Sequence, residues 1–261
     1  MNVQKKALHF GLKLLPVGIL CSLYLAMTNV NAMKQAGMQA PALLMIFSSI
    51  IQIAFIYTLV LSYLGYLLAE RTGLLKPFAF TKQETLITVL VGFGCALVMI
   101  SDYYLFAPRI AQVQAAYTKE SFTLISLLFS MLYGGIIEEI MLRFFFLSLL
   151  VLILDMTRGG NRGNKPIPAW FHLLANFIAA LIFALGHLPA TKMAFGEITS
   201  LLLVRTLLLN GVLGFVFGLL YWKKGLQYAM LAHALTHLFN QAIFASSSSS
   251  LWTFVHCCCF C

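Results

Sequence analysis

The sequence predicts an all-α fold, a polytopic transmembrane helix bundle of about seven to eight spans, on three observations. Of 261 residues, 61% are hydrophobic and only 10% are charged, against about 25% charged in an ordinary soluble domain. The apolar residues form long unbroken blocks instead of alternating with polar ones, which is the pattern of bilayer spans. The lysines and arginines fall in the short connections between those blocks, where they act as topology signals.

The blocks follow in order. The first runs from about Leu8 to Ala32, the second from Pro41 to Ala69 and the third from Leu86 to Phe106. The fourth covers Phe122 to Leu154, long enough to tilt or to extend beyond the bilayer. Ala169 to Leu188, Ile198 to Trp222 and Leu226 to Ala245 complete the set. Each reaches the roughly 20 residues that a crossing needs. An eighth stretch, Leu251 to Cys261, is too short to cross alone. Lys5 and Lys6 before the first block resemble a signal-peptide start, but six further blocks downstream favour an uncleaved span.

One membrane domain, residues 1–261, is therefore expected. Its chemistry-bearing core covers about 120–245, and a serine run and Cys-rich tail occupy 246–261. The net charge of +9 does not indicate a nucleic-acid partner, because no continuous basic face forms. Lys5, Lys6, Arg71, Lys76, Lys82, Arg158, Arg162, Lys165, Lys223 and Lys224 collect on one side, and only Lys34, Arg109, Lys119 and Lys192 on the other. That bias predicts a cytoplasmic N-terminus. The expected setting is a multi-pass protein of a bacterial inner membrane with membrane lipid as a partner. The connection from Thr157 to Pro168 is the plainest hinge. Six cysteines make no disulfide framework: Cys21 and Cys95 stand alone in apolar runs, and Cys257, Cys258, Cys259 and Cys261 crowd the tail.

Ionisable residues inside spans are costly, so each is a functional candidate. Lys13, Glu138, Glu139, Arg143, His187, Arg205, His233 and His237 qualify, with His172 near a span end. Glu139 and Arg143 are four apart and share a helix face with the acid first. Glu138 points about 100° away and has no local partner, which leaves it for acid–base work. Gly134 and Gly135, one turn earlier, allow a backbone or substrate to come close. His187 ends the fifth block just before Pro189, which should stop the helix. His233 and His237 are also four apart, a spacing able to bind one metal. They are not part of an HExxH motif, since Ala234 stands at the glutamate position.

These residues form three ordered motifs: Glu138-Glu139-x-x-x-Arg143, Phe183-x-x-x-His187 and His233-x-x-x-His237. Together, over about Ile136 to Asn240, they resemble the CAAX prenyl protease and bacteriocin-processing (Abi) family of intramembrane endopeptidases. The first half of the chain matches only in being polytopic. The resemblance implies hydrolysis of a peptide bond in a membrane-associated peptide or protein, including lipidated ones. Glu138 and His187 would activate water, His233 and His237 would stabilise the oxyanion, and Glu139 and Arg143 would hold the helix. It leaves open whether a divalent metal such as zinc takes part. The sequence departs from the family at His237, where Asn or Asp is usual; Asn240 is a candidate substitute. A carrier using Arg205 and Lys13 in a polar pathway, and a catalytically silent immunity factor or scaffold, are the competing readings.

Overall fold

The computed structural model describes residues 2–35, 37–39, 41–117, 123–159 and 166–246. Among them the chain is entirely helical, without strands. Lys119, Arg162, Lys165, most of the serine run, the eighth apolar stretch, His256 and the cysteine tail lie outside the described residues.

Helix α1 (Val3–Gln35) is followed by α2 (Ala42–Thr72), whose middle, Ile50–Val60, is π-helical. Gly73, at φ 72°, ends α2 in the left-handed conformation that a Cβ disfavours. Next come α3 (Lys82–Leu105), capped by the Thr81 hydroxyl, and the short α4 (Ala111–Ala116). Helix α5 (Leu124–Leu132) starts at a Thr123–Ser126 capping box. It continues through π-helical Tyr133–Glu138 and Ile140–Leu147 into α6 (Ser148–Thr157). This continuous stretch is the glutamate helix. Helices α7 (Ala169–Gly186), α8 (Leu188–Phe195), α9 (Ser200–Lys224) and α10 (Leu226–Ser246) complete the bundle. Pro189 does not simply stop a helix: α7 ends at Gly186, and Pro189 sits in the first turn of α8, where its missing N–H costs nothing.

Helix α1 packs on α2, α3 on α10 and α7 on α9, around the glutamate helix. Apolar side chains project outward in number, Leu43, Leu44, Phe47, Leu90 and Phe177 among them, as a lipid-facing surface allows. Among the described residues, five helices are long and apolar enough to cross a membrane: Val3–Lys34, Ala42–Thr72, Lys82–Arg109, Ala169–Phe195 and Ser200–Lys224. The two remaining long helical stretches carry Glu138 to Arg143 and His233 to His237.

Candidate active site

Close packing at two glycines brings the last helix onto the glutamate helix. A Cβ on Gly134 would lie 2.8 Å from His237 Nε2 and 2.9 Å from His233 Nε2, and one on Gly135 would lie 2.9 Å from Ala234 Cβ. The close approach expected of these glycines is therefore made by α10. The glutamates themselves sit where the backbone widens into π-helical turns, a feature frequent at functional sites.

Glu139 is fully buried and has two partners. Arg143 Nη1 lies 3.3 Å from its Oε1, and the same oxygen is 2.8 Å from His233 Nδ1. Arg143, only 1% exposed, also donates from Nη2 to the Gly214 carbonyl at 3.0 Å and lies 4.6 Å from the centre of the Phe183 ring. With Glu139 ionised against Arg143, its carboxylate only accepts, and His233 then carries its proton on Nδ1. His187 Nδ1 is 2.8 Å from the Phe183 carbonyl, which assigns the same tautomer there. In their neutral forms both rings present a bare Nε2 to Glu138: His187 at 4.0 Å from Oε1 and His233 at 3.8 Å from Oε2.

These separations exceed the 2.7–3.2 Å of a direct hydrogen bond and leave Glu138 accessible to a cavity. That cavity, about 190 Å³, is lined by Glu138, His187, Asn210, His233, Thr236 and His237, among others. On its outer side, Glu138 and His187 also line a groove of about 580 Å³ that runs between α1, α2, the glutamate helix and α7. Tyr133 and Phe183 border both spaces.

All six sequence-predicted site residues come together here, though unequally. Glu138, His187 and His233 face one another, while Glu139 and Arg143 stand behind His233. His237 stacks on His233, with ring centres 5.2 Å apart, and reaches the cavity without a hydrogen bond or ion pair to Glu138. Asn240 does not line the cavity and leaves its buried Oδ1 without a partner. Asn210 takes the place at the wall instead, one amide hydrogen bonded to the Thr206 carbonyl at 2.9 Å. Its signal in the sequence is an amide in the middle of an apolar block. Among the described residues, no three His, Cys, Asp or Glu side chains are gathered to hold a metal ion.

The other ionisable candidates are used elsewhere. Arg205 makes a two-point bond to Asp102 on α3, at 2.7 and 2.5 Å, and Tyr117 donates to the same carboxylate at 2.6 Å. Burial and the adjacent Asp102 charge raise the Tyr117 phenol above its ordinary range. His172 stacks on Trp222, 4.8 Å between ring centres. Lys13 opens on a separate cavity.

Residues 120–239, a little under half of the chain, match the family model described as type II CAAX prenyl endopeptidase Rce1-like. This segment belongs to that family. The Rce1-like segment takes in α5 to α9, most of α10 and every residue of the site. None of the curated proteins and none of the solved structures matches the chain. Five apolar helices joined to a segment of a membrane-protease family make this an integral membrane protein.

Proposed function

We propose that the chain is an intramembrane endopeptidase that hydrolyses a peptide bond of a membrane-associated protein or peptide, with Glu138 as general base. The observation that carries this reading is the meeting of three acceptors, the Glu138 carboxylate and the Nε2 atoms of His187 and His233, across gaps of 4.0 and 3.8 Å. Three lone-pair groups face each other stably only around a proton donor or a cation, and water supplies two protons.

Glu138 accepts a proton from that water as its oxygen attacks the scissile carbonyl carbon. The imidazoles orient the water, and the Glu138 carboxyl then passes the proton to the leaving amine. Glu139, held by Arg143, fixes the His233 ring and its tautomer. Neutral His233 has committed its N–H to Glu139, so the developing oxyanion draws its donors from His237 and Asn210. One such donor is worth about 10²–10³ in rate. The substrate reaches Glu138 through the outer groove, where Asn29, Ser49 and Gln52 offer polar contacts to an extended peptide among apolar side chains. Lipidated substrates fit the same surface. We further propose seven crossings, counting the glutamate helix and α10, with the N-terminus cytoplasmic in a bacterial inner membrane.

Arg205 is paired with Asp102, to which Tyr117 also donates, which ties up one of the two charges that a carrier pathway would use. Proteomic comparison of membranes holding wild type or Glu138→Gln tests the reading. An uncleaved precursor should accumulate with the variant; identical peptide patterns would refute the assignment. Metal analysis with a chelator titration tests the chemistry: stoichiometric zinc whose removal ends turnover would make Glu138 and the imidazoles ligands.

A further inference from the structure

Lys13 is one intramembrane charge the proposed chemistry does not use. It stands on α1 in a stripe with Lys6 and His9, spaced three to four residues apart so that all share one face. All three border a cavity of about 450 Å³ at the lysine-rich end of the bundle. The connection between α2 and α3 closes the other side with Lys76, whose ammonium donates to the Lys223 carbonyl. Among the described residues no Asp or Glu lines this cavity. Nearby Glu84 is tied to Lys224 at 3.1 Å, and among the described residues no carboxylate pairs with Lys6, His9 or Lys13. Glu84 offsets part of the charge at Lys76, but Lys6 and Lys13 have no such partner among the described residues. Like charges at the edge of a low-dielectric bundle repel one another, and an anion relieves this.

The wall of the cavity is apolar. Phe10 packs on Tyr66 and Phe144 at ring-centre distances of 5.9 and 5.3 Å, and Tyr66 meets Phe144 edge-on at 6.3 Å. A cationic rim over an aromatic wall matches an amphiphile. A free phosphate would satisfy only the rim, and a neutral lipid only the wall.

We propose that this cavity binds an anionic phospholipid, its phosphate against Lys6, Lys13 and Lys76 and the upper part of an acyl chain along Phe10, Tyr66 and Phe144. The site is separate from Glu138 and rests only on the membrane-spanning reading of the chain. Phe144 belongs to the glutamate helix and follows Arg143 directly, so the bound lipid braces α1 and α2 against the helix that carries the active site.

Native mass spectrometry of the full-length protein in mild detergent tests this, titrating phosphatidylglycerol, phosphatidylcholine and inorganic phosphate. Wild type and Glu138→Gln should both retain phosphatidylglycerol in preference to phosphatidylcholine, with no displacement by millimolar phosphate. Lys6→Gln with Lys13→Gln should weaken phosphatidylglycerol binding about thirtyfold, and Lys6→Arg with Lys13→Arg should restore it. Equal retention of the two lipids, or unchanged binding by the glutamine double variant, would overturn the proposal. Displacement by phosphate would overturn the lipid source and assign a free anion. Retained binding by Glu138→Gln separates this result from any failure of the peptidase reading.

Discussion

The polar clusters around Asp102 and Glu138 inside this apolar bundle handle charge in opposite ways. At Asp102, every strong group is closed: Arg205 bonds both carboxylate oxygens, Tyr117 donates to one of them, and Phe195 covers the guanidinium at 5.0 Å. At Glu138, the carboxylate faces the Nε2 atoms of two imidazoles across gaps no direct hydrogen bond spans. The first arrangement meets the cost of intramembrane charge by pairing and ties α3 to α9. The second leaves that cost standing beside a cavity, as expected where a group must exchange a proton. Glu139 belongs with the first kind, and by holding His233 it serves the second.

The contrast breaks most sharply at Glu138. Glu138→Gln should lower peptide cleavage by about 10²–10⁴-fold while its thermal midpoint in detergent stays at or above that of wild type, because a half-buried carboxylate without a direct hydrogen bond is removed. A clear loss of stability would mean that the carboxylate is a structural member. Opening either closed cluster should cost stability instead. Arg143→Met and Arg205→Met each strand a buried carboxylate, at about 3–5 kcal/mol, measured by denaturant unfolding in bicelles. Arg143→Met should also slow the molecules that remain folded, since Glu139 and His233 lose their anchor, whereas Arg205→Met should not.

A smaller effect is expected at Gly134. The methyl of Gly134→Ala would press on both His233 and His237, and displacing a catalytic ring by about 1 Å costs roughly 10²-fold in turnover. Gly94→Ala has open space around its Cβ and is the control. The smallest effect belongs to His237→Asn, which exchanges one donor at the cavity wall for another and should keep turnover within about tenfold of wild type.

Much of this was legible along the chain because membrane helices are written locally. The blocks ending near Ala69 and Phe106, and the one beginning at Leu226, became α2, α3 and α10 with small shifts at their ends. Glu139 with Arg143 could be paired because both lie on one helix. Asp102 with Arg205 could not: 103 residues separate them, and no periodicity relates one helix to another. Asn210 was hidden for a similar reason, since only packing against the glutamate helix makes an apolar block's amide part of a cavity wall. The role first read for His233 changed for a subtler cause. Its spacing shows a face, but only the 2.8 Å contact with Glu139 shows which nitrogen keeps the proton.

The most direct measurement sets the two carboxylates side by side: turnover of one identified substrate by Glu138→Gln and Asp102→Asn, each normalised to its folded fraction. Glu138→Gln should be folded and inactive, and Asp102→Asn less stable but active per folded molecule. Residual turnover near wild type in Glu138→Gln, or an equal loss in folded Asp102→Asn, would contradict the assignment of the chemistry to Glu138.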